Sequence, residues 1–165
     1  MKKVVIITVS NSRSLNSDDS GKLIAKVMAD NGLQVSGRVV VPDDIVDIQA
    51  AYLQFEQSGC DIIITNGGTG IARQDVTIPA ISPLLLRLVP GFGEAFRQLS
   101  FAEIGTRALA SQALAGFNYR YQLTYCLPGS TNACQTALEK LIIPEYQHLL
   151  AESSITRKDV HHHAH

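Results

Sequence analysis

A glycine-rich segment is the part of this sequence whose residue types are best suited to binding a phosphate. Residues 66–70 read Asn-Gly-Gly-Thr-Gly, so that Gly67, Gly68 and Gly70 surround Thr69. Glycine accepts positive φ and lets the backbone approach a ligand closely. Successive amides in such a turn can form a nest that binds an anion. We predict a phosphate-binding turn here, although a tight strand-to-helix turn without a ligand fits the same composition.

Two charged residues, Arg73 and Asp75, follow this turn directly. Arginine can add a charge-assisted contact to phosphate. A carboxylate beside bound phosphates is repelled by them unless it holds Mg²⁺, which takes oxygen ligands and bridges to phosphates. The order of residues therefore indicates a magnesium-assisted phosphate site, with a surface ion pair or a helix cap at Asp75 as the alternative. The segment matches neither GxxxxGK[ST] nor GxGxxG, which excludes a Walker loop and a dinucleotide fingerprint.

A second carboxylate, that of Asp43, follows Pro42 just ahead of a predicted helix. An aspartate in this position ordinarily caps the helix N-terminus. We expect Asp43 at the same edge of the sheet as Asp75, and this favours a second interpretation. The two carboxylates would share one Mg²⁺, or one would bind the metal while the other orients the reacting group.

The elements that must position these residues follow from the hydrophobic pattern. Apolar, β-branched runs predict strands at residues 4–9, 35–41, 60–65 and 121–127. Helices are predicted at about residues 20–31, 43–58, 94–101, 132–143 and 145–152, with a further helix starting near Pro83. This alternation predicts an α/β domain with a mainly parallel sheet covered by helices on both faces.

In such folds ligands bind at the carboxyl ends of the strands. Two further polar segments fall there, one opened by Ser10 and one formed by Pro128, Gly129 and Ser130. The amides at a helix N-terminus favour anions, so the second segment predicts another phosphate contact. A plain N-cap at Ser130 is the alternative.

Composition narrows the class of protein. The chain has 165 residues and a formal net charge of -1, so we expect one domain, residues 1–152, without bulk attraction to nucleic acid or membranes. Its three cysteines form no CxxC pair, and no apolar run is long enough to span a bilayer, which together favour a cytoplasmic protein with reduced thiols. All five histidines lie at or after His148, so a histidine base near residues 66–70 is not expected. The His-rich tail, residues 153–165, is interpreted as inert, with Zn²⁺ or Ni²⁺ binding as the alternative.

The run at residues 65–77, Thr-Asn-Gly-Gly-Thr-Gly-Ile-Ala-Arg-Gln-Asp-Val-Thr, resembles the signature of the MoaB/MogA family of molybdenum cofactor biosynthesis proteins. The other stretches that match, in the same order, are residues 9–10, 42–44, 90–97, 100–106 and 127–134. The resemblance covers about residues 3–150 and is closer to MoaB than to MogA.

This resemblance implies a three-layer α/β/α fold that assembles as a homo-trimer or homo-hexamer. It also implies binding of molybdopterin and transfer of AMP from Mg-ATP to the terminal phosphate of that pterin. Asp43 and Asp75 fall on the two aspartates that the family requires, and Ser111 falls on a serine of its ligand site. The resemblance assigns the phosphates to the glycine-rich turn and to residues 128–130.

Asn11, Gln74 and Gln112 depart from the family pattern, which has an acid at the first position and arginines at the other two. Asn66 also differs, and Thr77 is not followed directly by the usual proline. The lost charges favour an alternative function, that of a non-catalytic molybdopterin-binding paralogue or carrier. A nucleotide-binding protein outside this pathway is a third interpretation.

Overall fold

The computed structural model of the protein describes residues 1–155. It contains one six-stranded sheet, whose strands are β1 (Lys3–Val9), β2 (Gln34–Val41), β3 (Ile62–Asn66), β4 (Leu85–Leu88), β5 (Leu114–Asn118) and β6 (Leu123–Leu127). The helices are α1 (Asp19–Asp30), α2 (Ile45–Glu56), α3 (Thr77–Ile81), α4 (Pro90–Ile104), α5 (Thr131–Ala137) and α6 (Ile143–Ser153). The histidines at positions 161–163 and 165 lie outside the described residues, and the boundary predicted at residue 152 stays a prediction.

The strand order is β2-β1-β3-β6-β5-β4. The first four strands in this order are parallel, whereas β5 is antiparallel to both of its neighbours, β6 and β4. The predicted mixed α/β fold with a mainly parallel sheet is confirmed. The antiparallel extension was not predicted, because the segment that forms β5 is rich in alanine and glycine, which have low strand propensity.

The sheet separates two hydrophobic clusters. In β1, Val4 and Ile6 face the cluster formed with α1, α4, α5 and α6, whereas Val5 and Ile7 face the cluster formed with α2 and α3. Burial on both faces explains why β1 is a continuous apolar run and does not alternate with polar residues. The arrangement is three layers, as the resemblance implied.

The helix predicted near Pro83 is wrong. Helix α3 ends at Ile81, a short 3-10 turn covers Ser82–Leu84, and the chain then becomes the edge strand β4. A short apolar run does not distinguish a strand from a helix by periodicity alone. Here the pairing of β4 with β5 decides the outcome, and this contact lies far away in the sequence.

Two other helix boundaries differ from the predictions. Helix α4 begins at Pro90, ahead of the predicted start at residue 94, because proline is well suited to the first position of a helix. The two predicted C-terminal helices are joined by a π-helical segment, Leu138–Ile142. Pro144 follows this segment and has no N–H to donate to the preceding turn, which explains the local change in helical pitch.

Cys126 and Cys134 are fully buried, and Cys60 is buried as well. Burial raises the pKa of the Cys126 and Cys134 thiols to about 12, so both are protonated packing residues at neutral pH. Within residues 1–155, no helix combines the length and the apolar character needed to cross a membrane.

Candidate functional site

The polar segments predicted at the strand ends lie together at one edge of the sheet. The Ser10 amide donates to the Val41 carbonyl at 2.9 Å, which joins the segment after β1 to the end of β2. The Gly67 amide donates to the Leu127 carbonyl at 3.0 Å, which joins the glycine-rich turn to the segment after β6. The edge that we predicted from the order of elements is therefore formed.

In the glycine-rich turn, four carbonyl groups accept hydrogen bonds from other residues of the protein. Thr77 donates to two of them, from its hydroxyl to the Gly67 oxygen at 2.8 Å and from its amide to the Gly68 oxygen at 3.1 Å. Gln112 donates to the next two, from its amide to the Thr69 oxygen at 2.9 Å and from its side chain to the Gly70 oxygen at 3.2 Å. Four successive carbonyl oxygens are thus satisfied by donors of the protein itself.

The amides of the same turn are arranged differently. Within residues 1–155, the N–H groups of Gly68, Thr69 and Gly70 have no protein acceptor. Gly67 and Gly68 adopt positive φ values of +99° and +68°, which glycine accepts more readily than other residues. A run of adjacent, unpaired amides is the geometry of an anion-binding nest. The interpretation of the turn as a phosphate site gains a physical basis.

Gly68, Thr69 and Gly70 line a cavity of about 320 Å³. Its wall includes several of the predicted residues, namely Gly68, Thr69, Gly70, Asp75, Ser111, Pro128, Gly129 and Ser130. Ser100 and Arg107 also line it, and sequence reasoning missed both as site residues. Arg107 lies in a 3-10 segment, Gly105–Ala110, and no local motif marks it.

Four predicted residues do not line the cavity, namely Ser10, Asp43, Gly67 and Arg73. The Ser10 hydroxyl accepts hydrogen bonds from the Ser12 and Arg13 amides, both at 3.2 Å, and so shapes its own loop. Arg73 is exposed and lies outside the cavity wall. Gly67 is buried beneath the turn, where it packs against Gly129.

The segment at residues 128–130 serves as a helix cap and as part of the cavity wall. The Ser130 hydroxyl accepts from the Ala133 amide at 3.1 Å and caps α5. Arg13 donates to the Gly129 carbonyl at 3.2 Å and to the Ser20 hydroxyl at 2.7 Å. The Ser20 hydroxyl in turn donates at 2.8 Å to the buried Asn66 side chain, which precedes the glycine-rich turn. Hydrogen bonds through Arg13, Ser20 and Asn66 therefore connect the segment at residues 128–130 to the glycine-rich turn.

Asp43 does not cap α2, although an N-cap is the ordinary role of an aspartate in this position. Asp44 caps α2 in its place, accepting from the Asp47 amide at 3.0 Å. The Asp43 amide donates to the Asn11 side-chain oxygen at 2.8 Å, so Asn11 fixes the backbone at Asp43 without bringing a further negative charge. The Asp43 carboxylate is left to face the glycine-rich turn, with Oδ1 3.4 Å from where a Cβ at Gly68 would be.

Asp75 is held at the other side of the turn. Its Oδ2 accepts from the Ala72 amide at 3.1 Å, and a Cβ added to Gly70 would lie 2.7 Å from that oxygen. The pKa of Asp43 is raised above its ordinary value by partial burial and then by the negative charge of Asp75. The two carboxylates therefore interact electrostatically, and a shared cation would relieve their repulsion.

The donor set fits Mg²⁺ better than a metal bound by the protein alone. Residues 1–155 contain no group of three or more His, Cys, Asp and Glu side chains that could hold a metal. Mg²⁺ usually keeps several waters and is bound by one or two carboxylates together with substrate phosphates. Asp43 and Asp75 match this pattern. His148 pairs with Glu145 and Glu152 on α6, away from the cavity wall.

Comparisons with known proteins identify the family of the chain. Residues 5–148 match the family described as "Probable molybdopterin binding domain". The chain is 43% identical over 153 residues to molybdenum cofactor biosynthesis protein B of Staphylococcus aureus strain COL, covering 91% of this chain and 90% of the relative. The chain belongs to the MoaB/MogA family of molybdenum cofactor biosynthesis proteins.

Solved structures extend the family likeness to the fold. The tungsten cofactor synthesizing protein MoaB from Pyrococcus furiosus is 35% identical, with a TM-score of 0.85 over 93% of this chain and 97% of that one. MoaB from Thermus thermophilus is 33% identical, with a TM-score of 0.80 over 93% of this chain and 96% of that one. Family membership assigns the protein to molybdenum cofactor biosynthesis.

The raised pKa of Asp43 predicts a gain in stability when its charge is removed. The folded state disfavours ionised Asp43, so the charge lowers stability above the folded pKa, and this penalty disappears as the pH falls through that pKa toward the unfolded value. Asp43→Asn is therefore expected to raise the Tm at pH 7 and to show no gain near pH 3. Thermal unfolding at the two pH values checks this.

Asp44→Ala provides the control for that measurement. It removes the cap of α2 and should lower the stability at pH 7 by about 1 kcal/mol. A Tm for Asp43→Asn below that of the wild type at pH 7 would contradict the raised pKa of Asp43, which burial and then the charge of Asp75 produce.

Proposed function

We propose that the protein binds molybdopterin and transfers AMP from Mg-ATP to its terminal phosphate. The observation that carries this proposal is the arrangement of the glycine-rich turn. Its carbonyls are occupied inside the protein, while the amides of Gly68, Thr69 and Gly70 are left for an anion beside Asp75. A neutral ligand would gain little from such a nest, whereas a phosphate gains several hydrogen bonds.

The proposed reaction needs positioning and charge neutralisation more than a base. A pterin phosphate oxygen attacks the α-phosphorus of ATP, a new P–O bond forms, and the bond from the α-phosphorus to the bridging oxygen breaks. Pyrophosphate leaves with the electron pair of that bond. The nucleophile is already an anion, which suits a site whose wall contains no histidine. Alignment of the two phosphates and electrostatic stabilisation supply the catalysis.

The predicted site residues have different proposed roles. Asp43 and Asp75 hold or orient the Mg²⁺ that travels with ATP, because they are the two carboxylates that approach the turn and interact. Gly67 shapes the nest and Gly68, Thr69 and Gly70 provide it, while Pro128, Gly129 and Ser130 form the adjoining wall with Ser111. Ser10 acts through its loop, and Arg73 is an outer cation that a bound ligand would have to reach.

The alternative function, a non-catalytic molybdopterin-binding paralogue or carrier, also has support. Asn11 is neutral where the family pattern has an acid, and residues 1–155 offer the metal no third acidic ligand. The Gln112 side chain donates a hydrogen bond to the Gly70 carbonyl and carries no charge. A site with these substitutions can retain the pterin without turning over ATP.

One experiment separates these functions. The protein is incubated with molybdopterin and Mg-ATP, and the pterin is analysed by mass spectrometry, with a parallel sample in EDTA. Adenylylated molybdopterin that forms only with Mg²⁺ supports the transferase. Pterin that binds unchanged supports the carrier, and ATP binding without affinity for the pterin points to the nucleotide-binding protein outside this pathway.

The proposed assembly is a homo-trimer or homo-hexamer, and the proposed location is the cytoplasm, where the three free thiols stay reduced. Exposed apolar side chains at the end of α4 and after it support association. Phe101, Ile104 and Leu109 are 53%, 51% and 78% exposed. Sedimentation of the protein gives the number of subunits, and a monomer would contradict the proposed assembly.

A further inference from the structure

Arg107 has an unusual position for a residue without a protein partner. It is exposed, and within residues 1–155 its guanidinium makes neither a hydrogen bond nor an ion pair. It nevertheless lines the cavity that contains the amides of the glycine-rich turn. Among the residues of that wall, Arg107 is the one cation and Asp75 the one anion.

The other arginines near the site are less suited to a ligand contact. Arg13 donates from its NH1 group to the Gly129 carbonyl and the Ser20 hydroxyl, and Arg97 donates to the Ala113 carbonyl at 2.9 Å. Arg73 is exposed outside the cavity. Gln112, at the position next to Ser111, is neutral and bonded to the turn. A positive charge inside the cavity therefore comes from Arg107.

The two proposed substrates differ in their need for such a charge. The triphosphate of ATP brings Mg²⁺, which Asp43 and Asp75 are placed to meet. A phosphate monoester brings no metal, and a guanidinium offers it paired N–H donors as well as charge. We propose that Arg107 binds the terminal phosphate of molybdopterin, the metal-free phosphate of the reaction, and so determines affinity for the pterin and not for the nucleotide.

This inference rests on the proposed function, since it names the residue that recognises one of its two substrates. The 3-10 segment that carries Arg107 is anchored by Ala108, which is 2% exposed. The segment then leads into Ser111, whose loop is tied to the glycine-rich turn through Gln112. Arg107 therefore belongs to a segment that is hydrogen-bonded to the glycine-rich turn, although the Arg107 side chain itself has no partner within residues 1–155.

The test is calorimetric titration of the full chain with molybdopterin in the absence of nucleotide and metal. Arg107→Ala should weaken pterin binding by about tenfold, in keeping with the loss of one charge-assisted contact at a solvent-accessible site. Arg107→Lys should recover part of the affinity, because it keeps the charge and loses the paired geometry. Binding of Mg-ATP, titrated separately, should change less than about twofold.

Arg87→Ala is the matched control, since it removes an exposed arginine on β4 that does not line the cavity and has no proposed role in binding. It should leave pterin affinity unchanged. If the wild type and Arg107→Ala bind molybdopterin equally tightly, this inference is wrong, whereas the proposed function stands. A loss of Mg-ATP affinity in Arg107→Ala also overturns it. Wild-type protein with no affinity for molybdopterin overturns the proposed function itself.

Discussion

Asp75→Asn is expected to reduce AMP transfer by about 100-fold or more while leaving the fold intact. Asparagine can still accept from the Ala72 amide, so the turn keeps its geometry and only the charge is lost. In the proposed mechanism Asp75 would supply a carboxylate ligand to the Mg²⁺ that accompanies ATP, and metal-assisted charge stabilisation contributes several kcal/mol to such reactions. Pyrophosphate release measured at saturating Mg-ATP checks this.

The same variant has a readout that does not depend on turnover. The charge of Asp75 raises the pKa of Asp43, so Asp75→Asn should lower the pKa of Asp43. An NMR titration of the Asp43 carboxyl carbon measures that change directly. Asp47→Asn, which removes an exposed acid in the first turn of α2, is the control and should alter neither turnover nor that titration. Unchanged turnover in Asp75→Asn would remove Asp75 from the proposed mechanism.

Much of the site was predictable because parallel strands place their carboxyl ends at one edge. Once β1, β3 and β6 were recognised as buried runs, the segments after them had to come together, whatever the lengths of the intervening helices. Strong local patterns, such as Ile62 to Ile64 followed by glycines, made these strands visible. The edge therefore follows from local sequence and a general property of α/β folds.

The elements that sequence reasoning missed depend on contacts far apart in the chain. Strand β4 pairs with β5, and β5 pairs with β6, so neither Leu85–Leu88 nor Leu114–Asn118 carries its own signal. Arg107 was missed for the same reason. It lies in a 3-10 segment between α4 and β5, and only the folded chain brings it to the glycine-rich turn.

The departures from the family pattern acquire specific structural roles. Asn11 holds the Asp43 amide, Asn66 links the glycine-rich turn to Ser20, and Gln112 occupies the Gly70 carbonyl. Each of these side chains makes a hydrogen bond that positions the site without adding charge. At positions 11 and 112 the sequence lacks charges of the family pattern, which is why binding and turnover must be measured separately.

Gly67→Ala is expected to destabilise the protein by at least about 3 kcal/mol, an effect in the upper range for single substitutions. Gly67 has a φ of +99°, and an added Cβ would lie 2.3 Å from the Val9 carbonyl oxygen. That oxygen belongs to the backbone at the end of β1, so it cannot move away without distorting the sheet edge. Denaturant unfolding measures the loss as a change in the free energy of unfolding.

Substitutions at two other glycines separate the cost of positive φ from the cost of steric contact in the unfolding measurement. Gly32 has a φ of +86°, but a Cβ there would meet nothing within 4 Å, so Gly32→Ala should cost only the backbone strain of about 1–2 kcal/mol. Gly68→Ala should fall between the two, because its Cβ would lie 2.4 Å from the Thr77 hydroxyl, a side-chain group that can move away only by losing its hydrogen bond to the Gly67 carbonyl. Equal losses at Gly32 and Gly67 would show that positive φ alone requires glycine at position 67. A larger loss at Gly67 means that close packing against Val9 shapes the turn whose amides have no protein acceptor within residues 1–155.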